Sequence, residues 1–119
     1  MSEIAELAER LRQFAAERDW EQFHTPKNLA MALAGEAGEL LAELQWLTPE
    51  QAATVMADAA AASRLEAELA DVFIYLVRLA DVLDVDLAEA ANRKVDAGAR
   101  RYDAAVYRGR ADKAPHLTD

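Results

Sequence analysis

Two pairs of acids, Glu36/Glu39 and Glu68/Asp71, are each spaced three residues apart. On a helix that spacing stacks side chains one turn apart on the same face. Glu36 lies inside a leucine stripe, Leu29, Leu33, Leu40 and Leu44, which marks the face that a helix here turns to a core. Glu39 and Glu43 run along the edge of that stripe, and Glu68, Asp71 and Tyr75 flank a second one set by Leu65, Leu69, Val72, Leu76 and Leu83. A carboxylate against a packed face must find a partner or take up a proton. Two such helices packed antiparallel would bring four carboxylates together, and like charges that close either hold protons or surround a hard cation. Oxygen donors without His or Cys at matching spacing point to Mg²⁺ or Mn²⁺ and away from Zn²⁺. In a chain with 22 acids the same spacing also arises on solvated faces, so the residues alone leave both readings open. Gly35 and Gly38 flank Glu36. Each costs roughly 1 kcal/mol relative to Ala within a helix, which predicts a close contact, by a helix or a ligand, beside the acids.

The elements that must position these residues are helical. Ala, Leu, Glu and Arg dominate, β-branched residues are sparse, and there are 4 Gly and 3 Pro in 119 residues. Ser2 caps a first helix whose apolar stripe is Ile4, Leu7, Leu11, Phe14 and Ala15, fading near Asp19-Trp20. Thr25-Pro26 opens a second, running to Trp46, and Thr48-Pro49 with Gln51 forms a capping box for an Ala-rich, weakly anchored segment to Ser63. A strong helix begins near Arg64, and Asp86 with Glu89 caps a last one reaching Tyr102. The pattern predicts an all-α, antiparallel four-helix-bundle-like domain over residues 1–102, with an irregular C-terminal tail over 103–119.

Composition excludes several functions. Thirteen bases against 22 acids leave a net charge of −9, which opposes gripping a nucleic-acid backbone. With no cysteine there is no disulfide framework, thiol nucleophile or Cys-bound metal. No apolar run approaches the ~18 residues of a membrane span, and the acidic start Met1-Ser2-Glu3-Ile4 lacks the features of a signal peptide. A soluble cytoplasmic protein with no nucleic-acid or membrane partner is the expectation. A di-iron carboxylate bundle would need Glu-x-x-His pairs, and neither His24 nor His116 is in one.

The run Phe14-Ala15-Ala16-Glu17-Arg18-Asp19-Trp20-Glu21-Gln22-Phe23-His24, then Asn28-Leu29, Gly35-Glu36-Ala37-Gly38-Glu39-Leu40 and Gln45-Trp46, resembles the all-α, MazG-like nucleoside triphosphate pyrophosphohydrolases, dCTP-hydrolysing members in particular. Glu68-Leu69-Ala70-Asp71-Val72-Phe73-Ile74-Tyr75-Leu76, Asp86-Leu87, Lys94 and Arg100-Arg101-Tyr102 continue the likeness, which covers about residues 11–102. The resemblance implies hydrolysis of a deoxynucleoside triphosphate, dCTP or a 5-modified dCTP, to the monophosphate and pyrophosphate. It implies that Glu36, Glu39, Glu68 and Asp71 are Mg²⁺ ligands and carry the catalysis, with Glu39 or Glu68 taking the proton of the attacking water. It places Trp20 and Trp46 as walls around the base, His24, Asn28 and Tyr75 in the pocket, and Lys94, Arg101 and Tyr102 at the phosphates. A homodimer or homotetramer with shared pockets is implied as well. The chain departs from the family pattern at Arg12, Gly98 and Asp103, which bears on base specificity more than on the reaction. Two alternatives stand beside this one: hydrolysis of another or non-standard nucleotide, and a non-catalytic helical interaction module.

Overall fold

Ser2 accepts a hydrogen bond from the Ala5 amide and opens α1 (Glu3–Glu17), whose first turn carries Glu3 and Glu6 where the helix dipole favours acids. In this computed structural model, which describes residues 2–116, α1 ends by reversing through Asp19 at φ 54°. The Trp20 amide then reaches back to the Ala15 carbonyl at 2.9 Å, and the Asp19 amide to that of Ala16 at 3.1 Å. This double closure is the Schellman cap, with Asp where glycine is the usual occupant. Thr25 caps α2 (Pro26–Ala42), and proline at its first position loses no helical hydrogen bond. The helix stops at Ala42, short of the predicted Trp46, and residues 43–46 leave it in turns.

The expected capping box is present: the Thr48 amide donates to Gln51 and the Gln51 amide to Thr48. It opens a helix of one turn, α3 (Pro49–Ala53), followed by a 3₁₀ turn at Val55–Ala57. The predicted Ala-rich helix to Ser63 is therefore divided. Asp58 accepts from the Ala60 and Ala61 amides and starts α4 (Ala59–Val82) five residues before Arg64, so the alanines at 59–62 form the first turn of the long helix. α4 ends like α1, on a left-handed aspartate, Asp84 at φ 56°, with the Val85 amide closing on the Ala80 carbonyl.

Contacts divide the chain into two compact units, Met1–Val85 and Asp86–Asp119. In the first, α4 packs against both α2 and α1. Leu29 of α2 and Val77 of α4 are the large side chains fully buried there, joined by Leu65 and by Ala8, Ala15 and Ala80. The alanines let α1 approach α4 closely, but they contribute little apolar area. Met31, Leu41, Trp46, Leu69 and Phe73 stay exposed. In the second unit Asp86 caps α5 (Leu87–Arg101), as its sequence predicts. The residues expected to be irregular contain a further turn of helix, α6 (Ala104–Tyr107), and fold back on the end of α5. Arg101 Nε donates to the carbonyls of Ala114 and Pro115 at 3.1 and 3.0 Å, and the Ala114 amide donates to the Tyr102 hydroxyl at 3.2 Å. The predicted boundary at Tyr102 thus falls inside this unit; residues 117–119 of the predicted tail lie outside the described residues. The described residues contain no strand, and no helix among them is long and apolar enough to cross a membrane.

Candidate metal centre

The packing of α2 on α4 sets Glu36 and Glu39 opposite Glu68. One carboxylate oxygen from each lies within 4.8 Å of the other two. Glu39 is exposed, whereas Glu36 and Glu68 are half-buried, and the Oε2 atom of each is buried with no hydrogen-bond partner. Burial pushes both carboxyl groups above their ordinary range, and the charges of Glu39 and Asp71 push in the same direction. Arg64 of α4 pairs with Glu43, the residue just past the end of α2, at 3.2 Å, so that guanidinium serves Glu43. Two desolvated acceptors without a donor are uncommon in a folded protein and call for an unseen partner. A proton can relieve one oxygen at a time. A hard divalent cation bound by oxygen donors can relieve all three groups together, so the residues fit such an ion.

Asp71, the fourth predicted ligand, stands outside this convergent set. It lines an adjoining cavity of about 420 Å³, close enough for its charge to act on Glu36 and Glu68. Leu7, Leu11 and Phe14 of α1 form one side of the cavity, Tyr75 and Arg78 of α4 another, and Trp20 and His24 project from the turn between α1 and α2. The left-handed cap at Asp19 throws Trp20 back over α1, where its indole meets Phe14 edge-on with ring centres 5.7 Å apart. Of the predicted pocket residues, Trp20, His24 and Tyr75 therefore do share one cavity.

Other predicted residues are placed differently. The Asn28 amide group donates to the Phe23 carbonyl at 3.0 Å and ties down the turn that carries His24, without lining the cavity. Trp46 is 86% exposed and lies outside the cavity. Lys94, Arg101 and Tyr102 belong to the second unit, where Lys94 is exposed and the other two hold Ala114. The close contact predicted beside Gly35 and Gly38 is not made among the described residues: a Cβ at either position would meet nothing within 4 Å.

One residue escapes the sequence reading. Arg78 lines the cavity although its side chain is only 9% exposed. Its Nε donates to His24 Nδ1 at 3.1 Å, and its Nη1 donates to Asp81 Oδ2 at 3.3 Å. The same Asp81 oxygen meets Arg12 Nε at 2.9 Å, so one carboxylate joins cations from α1 and α4. The signal was available in Glu68, Asp71, Tyr75 and Arg78, whose spacing of three, four and three continues a single helix face beyond the acids.

With this geometry in view, the relatives are informative. The profile of the MazG-like family matches residues 31–114, and the chain belongs to that family. The proteins named dCTP pyrophosphatase 1 of Bos taurus and of Homo sapiens are each 46% identical to it over 105 residues, covering 88% of this chain. The match takes in 62% of those relatives' own length. A crystal structure of a pyrophosphatase from Archaeoglobus fulgidus aligns with a TM-score of 0.79 at 36% identity, covering 87% of this chain and 94% of that one. The family drawn from the acid pairs and the tryptophan-containing run is thus the family the chain belongs to.

Proposed function

We propose that the chain is a nucleoside triphosphate pyrophosphohydrolase that converts dCTP, or a 5-modified dCTP, into the monophosphate and pyrophosphate. The observation that carries this reading is the convergence of Glu36, Glu39 and Glu68, with two buried oxygens left without partners, beside a cavity walled by Trp20. The names of the mammalian and archaeal relatives support it.

Mg²⁺, or Mn²⁺, held by Glu36, Glu39 and Glu68 with Asp71 alongside, would supply phosphate binding and Lewis-acid polarisation. The cluster also organises the nucleophile. A water oxygen bonds to the α-phosphorus as the bond to the bridging oxygen of the β-phosphate breaks, and pyrophosphate leaves. The water's proton passes to a cluster carboxylate, Glu39 or Glu68. Trp20, braced edge-on by Phe14, presents an aromatic wall to the base. Trp46 provides the second wall in a homodimer or homotetramer. Its exposure, together with that of Met31, Leu41, Leu69 and Phe73, is an apolar surface that a second copy would cover.

The test is product analysis with dCTP, 5-methyl-dCTP, dUTP, dTTP and the ribonucleotides, each with Mg²⁺ or Mn²⁺. Pyrophosphate and the monophosphate are expected from dCTP or its 5-substituted form, and preference for another base would move the chain to a different substrate within the same chemistry. Release of orthophosphate, or no turnover of any nucleotide, would overturn the reading. Sedimentation should give a dimer or tetramer at micromolar concentration, and a monomer would remove the assembly.

A further inference from the structure

The turn between α1 and α2 carries Trp20, and among the described residues one side-chain hydrogen bond ties that turn to α4: Arg78 Nε donates to His24 Nδ1 at 3.1 Å. Trp20 and His24 are linked within the turn, since the His24 amide closes on the Trp20 and Glu21 carbonyls at 3.2 Å each. Trp20 is 43% exposed, and its ring neighbours are Phe14 of α1 and His24, with ring centres 5.7 and 6.4 Å away. Arg78 is itself fixed. Its side chain is only 9% exposed, its Nη1 donates to Asp81, and Arg12 of α1 holds the same Asp81 oxygen. The chain upstream of Trp20 bends through Asp19 at φ 54°, a short cap about which the turn can swing once the His24 bond is gone.

That bond exists in one protonation state only. Because Nδ1 accepts, it carries no proton, and the neutral ring holds its proton on Nε2. A second proton must go to Nδ1, where N–H would face N–H and an imidazolium would meet a guanidinium that stays charged. The other groups around His24 supply no substitute. From α4, Asp71 and Tyr75 line the same cavity, and neither hydrogen-bonds His24 among the described residues. From α1, Arg10 lines the cavity and Arg12 is engaged by Asp81. Thr25, next to His24, opens α2, whose first turn carries Lys27, and a helix N-terminus disfavours a cation. Burial, and then the Arg78 charge, hold the His24 pKa below its ordinary 6.5.

We propose that Arg78 and His24 form a proton-released latch: Arg78 is a positioning residue that, through His24, holds Trp20 in the cavity wall, and protonation of His24 lets the turn go. The latch is closed above the His24 pKa and is lost as pH falls through it. Its consequence for catalysis rests on the pyrophosphohydrolase reading above. A site that binds only when latched loses apparent affinity in proportion to the latched fraction, about 10-fold for each pH unit below that pKa.

NMR of the full chain without nucleotide, from about pH 8 to about pH 5, tests the latch directly. In the wild type His24 Nδ1 should be unprotonated at the upper end, and the Trp20 indole signal should shift with the same midpoint as His24. Nuclear Overhauser contacts between Arg78 and the His24 ring should disappear below that midpoint, a measurement that needs no variant. Arg78→Met should raise the His24 midpoint and uncouple the indole signal from it, whereas a direct effect of the ring's charge on Trp20 would persist. His24→Asn places an amide oxygen where Nδ1 stands, an acceptor that does not titrate, so its Trp20 signal should not move with pH. In turnover, KM for dCTP should be about 10-fold higher in Arg78→Met than in the wild type near pH 8, the order expected for one charge-assisted bond. The two KM values should converge as pH falls through the wild-type His24 midpoint, and their ratio cancels the titration of the substrate and of the acid cluster. A His24 that carries its proton on Nδ1, Arg78 contacts that survive acid, an indole signal blind to His24, or a KM ratio independent of pH would each overturn the proposal. If Trp20 follows His24 in a protein that hydrolyses no triphosphate, the latch stands and the enzymatic reading fails. If dCTP is hydrolysed while Trp20 ignores His24, the reverse holds.

Discussion

At residue 68 of α4 a half-buried carboxylate keeps one oxygen with no donor, beside two further acids that raise its charge burden. Ten residues along the same helix Arg78 is more deeply buried, yet it is tied to His24 and to an aspartate that Arg12 also holds. The first region has no internal partner for its buried oxygens, and under the proposed function a divalent cation would supply one. The second is matched from within the chain, through His24 and Asp81. Burying a charge is costly in either place. The difference lies in whether the partner comes from within the chain, and an internal partner gives rigidity whereas an external one gives dependence on what is bound.

The comparison can be broken most forcefully at the acid end. Glu36→Gln or Glu68→Gln should lower pyrophosphate release by on the order of 100-fold or more, as the loss of a group stabilising transition-state charge does. The same variants should melt higher than the wild type without divalent ions, because an amide relieves the like-charge cluster. Mg²⁺ or Mn²⁺ should raise the wild-type Tm by mass action and leave the variants unmoved. Indifference of the wild-type Tm to either ion would remove the metal centre.

At the basic end, Asp81→Ala leaves Arg78 with half its internal partners. It should cost about 3 kcal/mol in urea unfolding, as breaking a buried pair does. Arg64→Ala breaks the more exposed Arg64–Glu43 pair and should cost under about 1 kcal/mol. Equal costs would erase the distinction between the two regions.

The two ends should also respond to pH with opposite sign. Glu36 and Glu68 have folded pKa values raised above the ordinary 4.5, so the native state binds their protons more tightly than the unfolded chain does. Their contribution is therefore fully present below 4.5 and is lost as pH rises through the raised values. The stability gained by Glu36→Gln in metal-free buffer should accordingly grow as pH rises from 4.5 towards neutral. His24 has a lowered pKa, so its contribution is present above 6.5 and is lost as pH falls below that value. Urea titrations of wild type and Glu36→Gln across this range, with and without Mg²⁺, measure the first slope, and His24→Gln measures the second.

The smallest expected effect is a control at the far end of α4. Asp84 sits at φ 56°, a region glycine enters without the clash of a Cβ. Asp84→Gly should stabilise the protein by under about 1 kcal/mol and leave the Mg²⁺ response unchanged.

Much of this was legible in the residues. Ser2, Thr25, Thr48 and Asp86 announced four helix starts because a capping side chain and its amide lie within three residues of each other. Glu36 could be singled out because a leucine stripe makes an acid conspicuous. Asp58 went unnoticed as a cap because no proline or amphipathic stripe follows it, only alanines. The spacing after Glu68 places Arg78 on the face of the acids, but its burial was opaque for a different reason. Its partner His24 is 54 residues away, and a local pattern cannot tell an arginine that reaches solvent from one held inside. Trp46, Gly35 and Gly38 draw their interest from what would touch them; among the described residues Trp46 is 86% exposed and a Cβ at either glycine meets nothing within 4 Å.

The clasp of Arg101 and Tyr102 on Ala114 closes thirteen residues of chain without a covalent link. Such a ring opens when those two side chains let go, with no helix having to melt. Amide hydrogen exchange should therefore find the Ala114 amide protected by a local opening of low free energy and the α2–α4 core by a much larger one. A nick inside the ring would leave the Ala114 end held only by those few bonds, and limited proteolysis would shed it while the four-turn helix α5 remained intact.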